Sequence, residues 1–357
     1  MSGAPAGAPD SDGMWAATAA LPEQVAAGAR VAAEVTAGAR LPDPGSLRSV
    51  LALGMGGSGI GNEVLAAVAG PRCPLPVLVG KDYELPAFVG PSTLVFACSF
   101  SGNTEETLSA VHAAVAAGAP VVAVTGGGQL AELVSGCGGT VIGVPRAIPH
   151  PRAAIGAMTA APVVVLGRLG LLEGADGLIA SAVEQLSRRR DEIETAGEGG
   201  LPARLAQQLS RTIPLVYGGG PLGRAAALRW KCQVNENPKS PAFSAAQPEL
   251  CHNEVTGWGQ LGDITRQLIT VVNLRHDFEH PRVGQRFGLV DELIDEVVAA
   301  VIEVHAAGQG PLAQLFDLVL VGDYTALHLA AREGLDPGPI PILVELKEAL
   351  AALPTGA

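Results

Sequence analysis

Unbroken apolar runs of five or six residues, each ending at a glycine or a hydroxyl residue, dominate the first half of this chain. Ser49 to Leu53 (SVLAL), Thr93 to Cys98 (TLVFAC) and Val121 to Thr125 (VVAVT) lack the alternation of a half-exposed strand. They read as strands buried on both faces. Leu75 to Val79 and Thr140 to Val144 are shorter runs of the same kind. Between them the spacing predicts helices. Gly54 to Gly59 turns the chain into one at Asn62 to Val68, Ser99 to Thr107 opens one running to Ala117, and Gln129 to Ser135 is a third. A further helix is expected ahead of all of these, at Glu23 to Ala39. Strands alternating with helices of this length imply βαβ units and a parallel sheet.

The segments Arg152 to Gly170 and Asp176 to Glu194 read as linking helices, the second ending in glycine-rich sequence that suits a domain boundary. The pattern then restarts with a strand at Ile213 to Tyr217, a turn at Gly218 to Gly220 and a helix at Leu222 to Val234. Strands follow at Leu268 to Leu274 and Val297 to Val304, separated by a helix beginning near Val283; helices at Leu312 to Glu333 and Ile342 to Leu353 end the chain. Ser240 to Pro248, polar and rich in Pro and Ala, reads as a loop able to reach out of its own domain. The strand–glycine–helix unit near residue 50 recurs near residue 213, which implies an internal duplication. The expected fold class is therefore α/β, with two tandem doubly wound units. Residues 1–45 form an N-terminal tail and helix, 46–196 the first domain and 197–357 the second.

At 357 residues, 48% of them apolar and 16% charged, the chain can bury two ordinary cores. A net charge of −12 argues against a nucleic-acid partner or a membrane surface, both of which call for basic faces. An anionic substrate remains compatible, because local dipoles and placed cations decide that. Five scattered cysteines without CxxC pairing fit a reducing compartment. Residues 1–15 have neither a basic n-region nor an apolar h-region. The expected location is cytoplasmic.

Two motifs carry candidate chemistry. Gly54-Met55-Gly56-Gly57-Ser58-Gly59 contains GxGxxG between strand and helix. On its own it admits a dinucleotide, with Asp82 or Glu84 as the ribose acid, a bound phosphate, or a bare tight turn. Ser99-Phe100-Ser101-Gly102-Asn103-Thr104 shifts that balance. Three hydroxyls and free helix amides at the end of a parallel strand make a phosphate cradle that needs neither metal nor lysine. No GxxxxGK[ST] element points to nucleoside triphosphate hydrolysis.

GMGGSGIGNEV with SFSGNTEET resembles the phosphosugar-binding SIS (sugar isomerase) domain. PHPRAAIG (149–156), WKCQVNENPKSPAF (230–243), PELCHNEVTGW (248–258) and LVELK (343–347) narrow the likeness, from residue 46 onward, to the bifunctional phosphoglucose/phosphomannose isomerases. That resemblance implies roles residue by residue. Gly57, Ser58, Ser99, Ser101 and Thr104 would hold the sugar phosphate, and Arg152 would steady an enediolate. Glu236 would shuttle the proton between C1 and C2. His252, reaching in from the second subunit of a homodimer, and Lys347 would serve ring opening. Cys251 stands where the family carries Asn, and Gly338 where it carries Thr. Neither a cofactor nor a metal is implied.

The chemistry of those residue types agrees. An aldose–ketose exchange needs one base to move a proton, a carboxylate suits that role, and a fixed cation stabilises the developing oxyanion. A histidine titrates near neutrality, where ring opening needs it. Plainer readings stand beside these: Glu236 as a surface acid, Arg152 as a helix-terminal residue, His252 as a loop histidine, Lys347 as a solvated charge. His276 and His280 (HDFEH) have the spacing of metal ligands on a helix but precede Pro281 and read as loop residues. The expected activity is interconversion of glucose 6-phosphate, and mannose 6-phosphate, with fructose 6-phosphate. A non-catalytic SIS-type sugar-phosphate sensor is the alternative, since a sensor needs the cradle but no base.

Overall fold

A computed structural model describes residues 4–353. The chain opens with α1 (Met14–Ala19) and α2 (Leu21–Gly38). The first βαβ series follows: β1 (Ser49–Leu53), α3 (Gly56–Ala69), β2 (Val77–Gly80), β3 (Thr93–Ser99), α4 (Glu105–Ala116), β4 (Val121–Thr125), α5 (Gly128–Gly136) and β5 (Thr140–Gly143). Then come α6 (Ile155–Arg168), α7 (Ala175–Ala196) and α8 (Leu201–Leu209). A second series runs β6 (Ile213–Gly219), α9 (Gly220–Glu236), β7 (Phe243–Gln247), α10 (Gly262–Leu268), β8 (Ile269–Arg275), α11 (Pro281–Ile294) and β9 (Ala300–His305). The helices α12 (Pro311–Arg332) and α13 (Pro341–Ala351) close it.

The strands form two parallel sheets, ordered β2-β1-β3-β4-β5 and β7-β6-β8-β9. In each, the first strand of the series lies second from the edge, with its follower outside it and the third strand inside. The second sheet thus repeats the order of the first, one strand short. Period-two alternation sorts the strand residues by face. In β1, Val50 and Ala52 point into a core shared with α2, α3, α6, α7, α9 and α12. Leu51 and Leu53 point outward under α4 and α5. The shared core continues to Val216 of β6 and Val272 of β8, so one apolar layer runs from sheet to sheet. Its axis is α12, buried on every side from Pro311 to Ala330, with its Asp317 and Asp323 paired to Arg189 and Arg229. Among the described residues no helix is long and apolar enough to cross a membrane.

One expectation is overturned. Residues 240–248 do not loop out of their domain, because Phe243–Gln247 is a strand paired in parallel with β6, Leu215 opposite Phe243. An edge strand with one open side tolerates the polar and small residues of FSAAQ that made it read as a loop. The N-terminal region is also more ordered than a tail. Asp10 accepts from Met14 N (2.6 Å) and Trp15 N (3.2 Å), and the fully buried Trp15 packs edge-on against His328 of α12 at 4.8 Å.

Burial pushes the pKa of His328 down to about 4. Below pH 6.5 the unfolded chain takes up a proton that the folded chain refuses until about pH 4. Stability should therefore fall by about 3 kcal/mol as pH drops through that window and level off below it. Urea titrations between pH 7 and 4 should show the slope, and His328→Leu should flatten it; an unchanged slope would mean that His328 charges in place.

Candidate active site

β1 and β3 lie side by side and end at the same edge, where the chain turns into α3 and α4. There the predicted hydroxyls meet. Phe100 N donates to Ser58 Oγ (3.1 Å) and Gly102 N to Ser99 Oγ (3.1 Å). Ser99 Oγ and Thr104 Oγ1 share a hydrogen bond at 2.9 Å. Ser58 and Ser99 are buried. Ser101 is exposed, its Oγ accepting from Asn103 N at 3.2 Å. Thr104 precedes α4 without capping it, since its hydroxyl is turned to Ser99.

Gly57, in the first turn of α3, is pressed against the segment that carries Arg152. A Cβ there would lie 2.6 Å from Arg152 N and 2.7 Å from Pro151 C. These are backbone atoms with no freedom to give way, so only glycine fits. Arg152 sits in a single 3-10 turn, Pro151–Ala154, and is 3% exposed. Its guanidinium is held on three sides: Nε donates to Asn237 Oδ1 (3.1 Å), and Nη2 to the carbonyls of Pro337 (2.5 Å) and Gly338 (2.6 Å). Nη1 faces Glu236 Oε2 at 3.8 Å. Burial lowers the pKa of the guanidinium while the charge of Glu236 pulls it back up. Glu236 is the last residue of α9, and its side chain is 27% exposed, which leaves it open to a ligand and still beside a buried cation.

The backbone of Arg152 is anchored as well. Arg229 Nη2 donates to Arg152 O (2.7 Å), while the same guanidinium binds the Asp323 carboxylate in a two-pronged contact of 2.8 and 2.7 Å. Both side chains of that pair are almost fully buried. Asn237, Arg229, Asp323 and the 337–338 carbonyls escaped the sequence reading. Only Asn237 left a signal, as the second Asn of the NEN triplet.

His252 and Lys347 lie apart from this cluster. His252 ends a 3-10 turn, Glu249–His252, just past edge strand β7, and is exposed. Lys347 is exposed on α13, a helix with no buried residue that shows Ile342, Val344 and Leu346 to the outside. Among the described residues no hydrogen bond or ion pair joins either to Glu236 or Arg152.

The HDFEH histidines serve the backbone. His276 Nε2 lies 2.8 Å from Gly219 O and its Nδ1 accepts from Phe278 N, while His280 Nδ1 caps α11 by accepting from Arg282 N. Glu279 of the same segment lays its carboxyl against Gly219, the residue before α9, within 3.1 Å of where a Cβ would be. It accepts there from His276 N (3.2 Å) and from Arg275 (3.0 Å). The Glu279 carboxyl thus sits beside the second sheet's glycine turn, held by Arg275 and His276 N.

Residues 200–350 match the family model for the bacterial phospho-glucose isomerase C-terminal SIS domain. A bifunctional phosphoglucose/phosphomannose isomerase of Caldicellulosiruptor bescii is 37% identical over 335 residues, covering 93% of this chain and 97% of that protein. One from Aquifex aeolicus is 33% identical, covering 85% and 90%. The crystal structure of tagatose-6-phosphate ketose/aldose isomerase from Escherichia coli superposes with a TM-score of 0.65 over 93% of this chain and 98% of that one. At 16% identity, that match speaks for the fold alone. With identity above a third sustained along nearly the whole length of a relative, this chain belongs to the bifunctional phosphoglucose/phosphomannose isomerase family.

Proposed function

We propose that the protein interconverts glucose 6-phosphate and mannose 6-phosphate with fructose 6-phosphate through an enediol, using side chains alone. The observation that carries this reading is the half-open Glu236 carboxylate 3.8 Å from the buried, triply held Arg152. A sensor of sugar phosphates has no use for such a pair. The phosphate rests on Ser58, Ser99, Ser101 and Thr104 and on the amide ends of α3 and α4, with Gly57 allowing close approach. Glu236 takes the C2 proton of the open-chain aldose, and electrons move into the C1 carbonyl to form the cis-enediolate. Arg152 stabilises the oxygen charge that develops. The hydroxyl proton then passes from the C2 oxygen to the C1 oxygen, Glu236 returns its proton to C1, and the C2 oxygen becomes the ketose carbonyl. Each step needs a base and a fixed cation, so neither metal nor cofactor is invoked.

The unit of activity in this reading is a cytoplasmic homodimer with shared sites. Each chain holds two tandem SIS-type domains, 46–196 and 197–357, preceded by residues 1–45. The repeated strand order of the two sheets supports the tandem arrangement. Exposure of His252 apart from Glu236, and the uncovered apolar side chains of α13 that carry Lys347, support a second copy closing the site. Both residues would open the sugar ring, the partner subunit's His252 acting across the interface.

A coupled assay for fructose 6-phosphate, run on each aldose with excess EDTA, tests the activity. Turnover with neither aldose would leave the sensor as the better reading, and turnover that depends on added metal would sink the side-chain mechanism. The shared site has its own test. Glu236→Gln and His252→Ala variants, unfolded and refolded together, should form about half heterodimers, each with one intact site, and recover about a quarter of wild-type activity. A mixture no more active than its parents, with heterodimers confirmed by mass, would place both residues in one chain.

A further inference from the structure

The isomerase reading gives Arg152 a role but leaves unexplained what fixes the loop that holds it. The carbonyls of Pro337 and Gly338 belong to an irregular stretch between α12 and α13, which helix packing alone does not immobilise. Asp336 ties that stretch internally, accepting from Gly338 N at 3.0 Å, and Lys239 Nζ donates to Asp336 O (2.6 Å) and to Asn237 O (2.9 Å). The remaining contacts come from more than 300 residues away. Ser11 N donates to Asp336 Oδ2 at 3.1 Å. Asp12 Oδ2 lies 2.8 Å from His150 Nε2, two residues before Arg152. The side chain of Asp12 fills the space beside Gly338, where an added Cβ would lie 2.5 Å from its Oδ2 and 2.8 Å from its Cβ and Cγ. The segment is itself moored by the Asp10 cap and the buried Trp15.

We infer that Asp12 is a positioning residue: wedged between His150 and Gly338, it keeps the 337–338 carbonyls aimed at Arg152 and so holds the guanidinium where the enediolate forms. The inference rests on the isomerase reading of Arg152. Its physical basis is preorganisation, since a cation stabilises a transition state to the extent that it is in place beforehand. The electrostatics agree: the negative charge of Asp12 also works against the lowering of the Arg152 pKa by burial. The missing side chain at Gly338 has the same explanation, because Asp12 already occupies its volume.

A double-mutant cycle tests this. Gly338→Ala sets a methyl against the Asp12 side chain and should lower kcat about tenfold or more through displacement of the loop, with KM for the aldose changed less than about twofold. Asp12→Gly removes every atom in that clash; Asp12→Ala would not, since Asp12 Cβ is one of them. In the Asp12→Gly background the further change Gly338→Ala should cost nothing in kcat, and the thermal midpoints of the four proteins should show the same coupling. Equal losses from Gly338→Ala in both backgrounds would overturn the inference, as would a fall in thermal midpoint or a rise in KM with kcat unmoved. Wild-type protein inactive on both aldoses would instead overturn the isomerase reading, and this inference with it.

Discussion

Glu236→Gln should lower kcat by about a hundredfold or more and leave KM for either aldose almost unchanged. The amide keeps the size of the carboxylate and its place 3.8 Å from Arg152, so in the proposed mechanism what is lost is the ability to take the C2 proton. Steady-state kinetics in both directions should show equal falls, because one group serves both proton transfers. Exchange of the C2 proton with solvent deuterium should slow in step. Ser101→Ala gives the contrast: losing an exposed hydroxyl at the edge of the proposed phosphate cradle should mainly raise KM. Near-normal kcat in Glu236→Gln would mean that another group is the base. Glu254, whose Oε1 accepts from Tyr217 at 2.5 Å, would be the first to examine.

Asp323→Ala should cost about 3–5 kcal/mol of stability, the usual penalty for stranding one member of a buried ion pair. Arg229 would keep its charge in a site where its side chain is 2% exposed. Burial pushes the Asp323 pKa up and the two-pronged contact with Arg229 pulls it down. In the intact protein the pair is thus balanced between desolvation and attraction, and it does not survive division. Guanidinium titrations should show the midpoint falling with little change in slope. Replacing the pair by Arg229→Met with Asp323→Leu should restore much of the stability, since apolar isosteres fill such space well. It should not restore turnover, because Arg152 O would still lack the Arg229 donor that anchors it. A loss below about 1 kcal/mol in Asp323→Ala would show that water reaches the guanidinium.

The parts of this molecule legible in its sequence are those whose cause is local. Val50, Leu51 and Ala52 are apolar in succession because both faces of a parallel strand are covered. The serines of SFSGNT stand out because hydroxyls cluster where a strand hands over to a helix. β7 went unrecognised since an edge strand needs no apolar run on its open side, and α8 since its nine residues carry no distinctive cap. The site divides the same way. Glu236 and Arg152 are single letters whose meaning came through resemblance, and their environment consists of backbone carbonyls and contacts spanning 85 to 186 residues. A carbonyl oxygen is the same in every residue, so no sequence pattern announces that Gly338 holds an arginine or that Asp12 leans on it.

Glu279 bears on how many ligands one chain can take. Its carboxyl lies beside Gly219 at the entrance to α9, held there by His276 N and by Arg275 four residues away. A free sugar phosphate would meet that carboxyl beside a turn of three glycines and no hydroxyl, where the first unit offers Ser58 after β1 and Ser99 and Thr104 after β3. Titration calorimetry on a chain with two similar folds should therefore count one ligand per polypeptide, because the approach to the second turn carries the chain's own negative charge.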